Sequence, residues 1–213
     1  MNPATSVTQS AFQRRGSLPV AAVTGPVYPR DRALTGFDRR SREIGCALKL
    51  LIISDTHVPV RARDLPPPVW AAVDAVDVVI HAGDWVEADL LDRLSARAAR
   101  VVAVWGNNDG PQLRARLPEV ARVELDGVRV AVVHEAGPAA GRERRCARAY
   151  PGVDVLIFGH SHIPWDSTAS GGLRLLNPGS PTDRRRQPTH TWMTAEITGG
   201  RLAAVTLHRD ATA

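Results

Sequence analysis

Residues 50–60 read LLIISDTHVPV. Four consecutive apolar residues mark a buried strand, and the run stops abruptly on Asp55-Thr56-His57. In a strand-like or turning backbone, residues two apart can point to one side, so Asp55 and His57 can offer an oxygen and a nitrogen to a single ion. By itself a D-x-H triplet is no more than a turn with an Asp cap and a surface histidine. Four later apolar runs end in the same manner and change that reading. VVIHAGD stops on Asp84, VVAVWGNND on Asn107 and VAVVH on His134, while VLIFGHSH offers His160 and His162.

Working outward, the chain becomes regular from Ala47. A strand over 47–54 leads through a loop into PPPVWAAVDAV, where Pro66, Pro67 and Pro68 suit a helix start and Trp70 and Val73 begin an apolar face. A second strand is expected over 77–81, a helix over 89–98 with Leu90, Leu91 and Leu94 at helical spacing, and a third strand over 100–105. Strand, helix, strand, helix, strand is the pattern of parallel pairing and of the α/β class. The period then changes to 2: apolar stretches over 123–125 and 128–133 flank Asp126-Gly127, a two-residue hairpin signal. A basic helix over 141–150, a strand over 153–158, and a last hairpin over 189–197 and 202–208 complete the chain, with no internal repeat.

In sheets with crossover connections, ligands gather beyond the carboxyl ends of the strands. Five strands would thus deliver Asp55, His57, Asp84, Asn107, His134, His160 and His162 to one edge, with Gly83, Gly106 and Gly159 allowing tight turns and close backbone approach. Seven oxygen and nitrogen donors exceed one tetrahedral site and suit two ions sharing a carboxylate. The absence of thiolate among them favours manganese, iron or zinc. Two ions roughly 3.5–4 Å apart can activate a water and bind a phosphoryl group, which points to phosphoester hydrolysis.

Composition removes other chemistries. At 213 residues the chain has room for one substantial domain with a tail, and no apolar run approaches the roughly 18 residues of a membrane span. The start lacks the apolar core of a secretory signal, and Cys46 and Cys146 form no C-x-x-C pair, so a reducing, cytoplasmic setting is expected. The net charge of +5 is concentrated in residues 1–46, where seven arginines face only Asp31, Asp38 and Glu43. That segment, with Pro3, Pro19, Pro26 and Pro29 among Ser, Thr and Gly, reads as a disordered basic extension ahead of a domain over 47–213. The nearly neutral remainder does not indicate nucleic-acid binding by the core. Lys49 is the only lysine, so there is no P-loop and little room for a Schiff base.

The ordered series Asp55-Thr56-His57, Gly83-Asp84, Gly106-Asn107-Asn108-Asp109, His134 and Gly159-His160-Ser161-His162 resembles that of the calcineurin-like metallophosphoesterases. The turn Asn177-Pro178-Gly179-Ser180 is similar to one in their small bacterial and archaeal phosphodiesterase branch. The resemblance implies an α/β (mixed α+β) fold, a four-layer αββα sandwich of two mixed β-sheets. It also implies two divalent ions, Mn²⁺ by expectation with Fe, Zn or Ni as alternatives. Asp55, His57, Asp84 and His162 would hold the first ion, Asp84 would bridge, and Asn107, His134 and His160 would complete the second. Asp84, Asn107 and His134 would then be catalytic in holding the hydroxide that attacks phosphorus in line. A small phosphorylated substrate is implied, with no membrane partner, and a homo-oligomer is left open.

Two positions depart from the family pattern. Asn108 stands where many larger members carry a histidine that protonates the leaving group, and an amide is no general acid near neutral pH. Activated diesters should suffer less than alkyl phosphates, which favours phosphodiesterase over phosphomonoesterase. Glu135 replaces a common glycine and could either bond a ligand imidazole or face solvent. Weaker candidates are His81, which could orient a ligand or be a satisfied core histidine, and Asp109, which would cap or brace the Asn107 loop. Arg184 and Arg185, followed by Arg186, could reach a substrate phosphate or form a solvated charge run. Asp109-Gly110-Pro111 reads as a turn. The related fold of the retromer subunit Vps29, an interaction platform, supplies a rival: a scaffold that binds metal without catalysis. A nuclease using the same site is a further alternative.

Overall fold

The computed structural model describes residues 47–210; the expected basic extension over 1–46, with Cys46, lies outside the described residues. The first strand, β1 (Leu48–Ile53), is apolar on two faces because both are covered. Leu48, Leu50 and Ile52 point into one core, and Leu51 and Ile53 into another. Strands buried on both sides read as continuous apolar runs, which is why LLII lacks alternation.

From β1 the chain crosses through α1 (Pro67–Ala75) to the parallel strand β2 (Val78–His81), then through α2 (Ala88–Arg97) to β3 (Val101–Ala103). Val69 and Val73 are the buried face of α1, while Trp70 is half-buried with the guanidinium groups of Arg93 and Arg97 over its ring. A short helix, α3 (Pro111–Arg116), replaces the turn expected at Asp109-Gly110-Pro111. Gly110 precedes it and Pro111 starts it, since the fixed φ of proline suits a first helical turn. With six residues and Leu113 as its one buried anchor, it is too short to show a period.

The hairpin β4 (Val120–Leu125) and β5 (Val128–Val133) turns on Asp126 and Gly127, both with positive φ, as a two-residue hairpin turn requires. After α4 (Arg142–Ala149) come β6 (Val155–Ile157), β7 (Trp165–Thr168), β8 (Arg174–Asn177), β9 (His190–Thr198) and β10 (Arg201–Asp210). One five-stranded sheet has the order β10-β9-β1-β2-β3 and the other β4-β5-β6-β8-β7. Both are mixed: β1 is parallel to β2 and antiparallel to β9, and β5 is parallel to β6 and antiparallel to β4.

The layers follow from what each face buries. Ile52, Ile80, Val130, Val132, Ile157 and Met193 meet between the sheets. The outer face of the first sheet packs on Val69, Leu91, Leu94 and Leu113 from α1, α2 and α3, and that of the second on Cys146 of α4. The result is helices, sheet, sheet, helix, the four-layer α/β sandwich. The five ligand-bearing strands do not share one sheet edge. β1, β2 and β3 belong to the first sheet and β5 and β6 to the second, and the site forms where the carboxyl ends of both meet. No helix among the described residues is long and apolar enough to cross a membrane.

Candidate metal centre

Past Ile53 the backbone leaves the strand conformation, and Asp55 and His57 both take positive φ, 56° and 45°. The pair therefore does not converge by strand alternation. Two backbone bonds to the loop after β2 hold the bend: Asp55 N–H donates to Gly83 O at 2.9 Å and His57 N–H to Asp84 O at 3.0 Å. From the other side, Ser180 Oγ–H donates to Asp55 O at 2.8 Å and Thr182 Oγ1–H to Thr56 O at 2.6 Å. The Asn177-Pro178-Gly179-Ser180 turn also fixes the neighbouring ligand loop, since Asn177 Nδ2–H donates to Gly159 O at 2.8 Å.

Asp84, also at positive φ, is 1% exposed. Its Oδ1 accepts the Asn108 N–H at 2.9 Å and its Oδ2 the Asn108 side-chain amide at 2.6 Å. Behind it, the Asp109 carboxylate accepts four backbone N–H groups: Asp84 at 3.1 Å, Trp85 and Val86 at 2.8 Å, and Gly106 at 2.7 Å. One side chain thus ties the loop after β2 to the loop after β3. The fit leaves no room for a side chain at Gly106, where a Cβ would lie 2.2 Å from Asp84 Oδ1 and 2.3 Å from Asp84 N.

The second sheet supplies the remaining donors. His134 Nδ1 meets Ala82 O at 2.8 Å, and its Nε2 lies 3.4 Å from Asp84 Oδ2 and 2.9 Å from Asn107 Oδ1. His160 Nδ1 lies 2.8 Å from the same Asn107 oxygen, and the His160 N–H donates to both oxygens of Asp55. His162 Nδ1 bonds Asp183 O, which leaves its Nε2 at 3.3 Å from Asp55 Oδ1 and 3.2 Å from His57 Nε2. His57 Nε2 in turn lies 3.6 Å from Asp84 Oδ2. The seven sequence-predicted donors are therefore brought together. Asp84 Oδ2 stands between His57 and His134, and Asp55 belongs to both sets of three whose ligand atoms lie within 4.8 Å of one another: Asp55, His57 and His162, and Asp55, Asp84 and His134.

The donor chemistry fits a cation. A backbone carbonyl can only accept, so His134 and His162 each carry the proton on Nδ1 and turn the Nε2 lone pair inward. When the imidazoles are neutral those lone pairs face carboxylate oxygens at 3.4 and 3.3 Å, acceptor against acceptor, an arrangement that a second proton or a bound cation satisfies. Burial works to raise the Asp84 carboxyl, but bonds from His134 and Asn108 outweigh it and hold this acid well below the ordinary carboxylate range. Burial likewise works to lower His134, and the Asp84 and Asp55 carboxylates outweigh it, so this imidazole holds a proton more tightly than usual. His57 goes the other way: burial lowers it further than Asp84 and Asp55 raise it.

The weaker candidates separate. His81 bonds no ligand residue's side chain: it accepts the Gly83 N–H at Nδ1, donates from Nε2 to Thr56 Oγ1 at 3.0 Å, and stacks on Trp85. It is a satisfied core histidine, neutral because burial depresses its proton affinity. Glu135 is exposed and bonds no ligand imidazole. Arg184 folds back on Gln187 O at 2.8 Å, whereas Arg185 reaches His160 O at 3.4 Å and stands at the rim. Four contributors escaped the sequence reading: the Asn108 amide on Asp84, Thr182 Oγ1 on Thr56 O, Asp183 O under His162, and Arg114, which bonds the Asn107 loop. Only Asn108 carried a signal, its place inside the G-N-x-D motif.

Known proteins resemble this chain in sequence and in fold. A calcineurin-like phosphoesterase superfamily domain matches residues 48–200. The probable metallophosphoesterase MJ0623 of Methanocaldococcus jannaschii is 39% identical over 161 residues, which are 74% of this chain and 79% of that one. Phosphodiesterase MJ0936 of the same organism is 26% identical over 148 residues, 62% of this chain and 83% of its own. In fold, the chain is similar to Entamoeba histolytica Vps29 complexed with zinc, with a TM-score of 0.61, 24% identity and coverage of 76% of this chain and 98% of that one. With its buried carboxylates and imidazoles at the meeting point of two mixed sheets, the chain belongs to the calcineurin-like phosphoesterase superfamily.

Proposed function

We propose that the protein is a phosphodiesterase that works with two divalent ions, Mn²⁺ in the first instance. Asp55, His57, Asp84 and His162 would hold one and Asn107, His134 and His160 the other, with Asp84 shared. The observation that carries this reading is the convergence of imidazole lone pairs on carboxylates that have no arginine or lysine partner among the described residues. When bound, such a pair would supply a water activated near neutral pH and two Lewis-acid centres for the charge of a phosphoryl group.

The chain's own residues set the rest. Nδ1–H bonds to Ala82 O and Asp183 O orient His134 and His162 with their Nε2 atoms toward the site. The Asn108 amide is spent on Asp84 and offers no acid to a departing alkoxide, so esters with good leaving groups are the preferred substrates. The name of the Methanocaldococcus phosphodiesterase agrees with that preference. A small phosphorylated substrate in a reducing cytoplasm completes the proposal, in keeping with the free, buried Cys146.

Likeness to Vps29 in fold keeps one rival: a metal-binding platform without turnover. Hydrolysis of bis(p-nitrophenyl) phosphate by metal-stripped protein, titrated with Mn²⁺, separates the two. Activity should appear with the ion and fall by about 100-fold or more in Asp84→Asn, since loss of a shared ligand exceeds the roughly 10–100-fold cost of losing an outer partner. Metal uptake without turnover across a range of pH would give the case to the platform. Parallel assays on p-nitrophenyl phosphate and a single-stranded oligonucleotide distinguish monoesterase and nuclease activities.

A further inference from the structure

Asn107 poses a mechanical problem. Its side chain is exposed and its oxygen lies between His134 Nε2 at 2.9 Å and His160 Nδ1 at 2.8 Å, contacts that it keeps only if its own backbone is held in place. Two N–H groups of that loop are fixed by acids, Gly106 N–H by Asp109 and Asn108 N–H by Asp84. The carbonyls point the other way and converge on one side chain. Arg114, on α3, donates from Nε to Asp109 O at 2.7 Å and from Nη2 to Gly106 O and Asn107 O, both at 3.3 Å. Its guanidinium carbon sits 4.0 Å from the centroid of the Trp105 ring, at the start of the same loop.

A surface arginine commonly pairs with a carboxylate; among the described residues none lies within ion-pair distance of this one. Its charge is directed at three carbonyls and one aromatic face. Charge-assisted bonds and cation–π contact both favour a flat, forked cation over an ammonium. We infer that Arg114 is a positioning residue for the second ion site, holding the Asn107 loop from below while touching no ligand side chain. This inference rests on the two-ion reading of the site.

The test is a calorimetric Mn²⁺ titration of metal-stripped wild type, Arg114→Lys and Arg114→Met. Wild type should take up two ions. Both variants should bind one ion within about 2-fold of wild type and lose about 10-fold or more in affinity for the other, in line with the loss of outer-shell partners. Lysine should rescue little, because one ammonium cannot reach three carbonyls and lie flat on Trp105. It also serves as the variant that keeps charge and stem if methionine prevents folding. Two ions bound at wild-type affinity by the variants, or an equal loss at both sites, would overturn the assignment. A wild type that binds a single ion would instead defeat the two-ion reading and this inference with it.

Discussion

Asp109 joins the two loops of the site through four N–H bonds, and replacing it with asparagine keeps its size while removing half its acceptors. The carboxylate is 3% exposed and receives two N–H groups on each oxygen, Trp85 and Val86 on Oδ1, and Asp84 and Gly106 on Oδ2. An amide offers one oxygen, so two of the four N–H groups would face an NH₂ with no acceptor. A buried donor left unsatisfied costs about 1–3 kcal/mol, which gives roughly 2–6 kcal/mol for two. Part of this is returned: burial has pushed the Asp109 carboxyl up, a sign that its charge is held at some expense, and the amide relieves it. The expected net loss for Asp109→Asn is about 3 kcal/mol, a large share of the roughly 5–15 kcal/mol that holds an ordinary domain together. Urea unfolding in the presence of a chelator measures it without interference from metal. A loss smaller than about 1 kcal/mol would mean that the loops after β2 and β3 are held by something other than this carboxylate.

Gly106→Ala should be destabilising and should also weaken metal uptake, because its Cβ would collide with the backbone nitrogen of Asp84 at 2.3 Å; about 1–3 kcal/mol is expected in thermal or urea unfolding, and a neutral result would refute the close fit. His81 contributes to the acid sensitivity of the metal-free protein. Burial depresses its folded proton affinity, so the unfolded chain takes up the proton first as pH falls below the ordinary value of 6.5, and stability declines by up to about 1.4 kcal/mol per pH unit until the folded value is reached. His57, whose affinity is lowered, contributes with the same sign and His134, whose affinity is raised, with the opposite one, but both are common to wild type and His81→Gln, and the comparison isolates His81. Unfolding between about pH 6.5 and 5 should show a shallower slope in His81→Gln, and equal slopes would show that His81 is not held neutral.

The two halves of this molecule were legible in the sequence to different degrees. Buried parallel strands announce themselves, as LLII, VVIH and VLIF do, and each ends on polar residues that packing alone does not call for. The hairpin signal Asp126-Gly127 fixes β4 against β5. What a linear pattern does not carry is the partition of five ligand-bearing strands between two sheets, because β5 and β6 read locally like any other strands. α3 was hidden by its length, and with it went Arg114, whose role depends on lying beneath a loop that precedes it in sequence. Asp183 was invisible for a stricter reason: it acts through its carbonyl, which every residue possesses.

Identity at the ligand positions answers to backbone as well as to chemistry. Asp55, His57, Asp84, His160 and His162 all have positive φ, between 45° and 69°. Glycine takes that conformation freely, but glycine has no side chain to offer an ion. Asp and His are among the side chains found there several-fold more often than others, and both are ligands. At about 1–2 kcal/mol for each left-handed residue, five of them amount to roughly 5–10 kcal/mol, comparable with the net stability of a domain. Such a cost persists only where the surroundings over-determine the geometry. Here they do: Gly83 O and Asp84 O hold the 55–57 bend, Asp109 holds Asp84, and Asp55 holds the His160 N–H. Hydrogen bonds, several of them made by Asp55 and Asp84 themselves, are thus what stabilise the site's backbone, and they set the shape of the proposed ion cage.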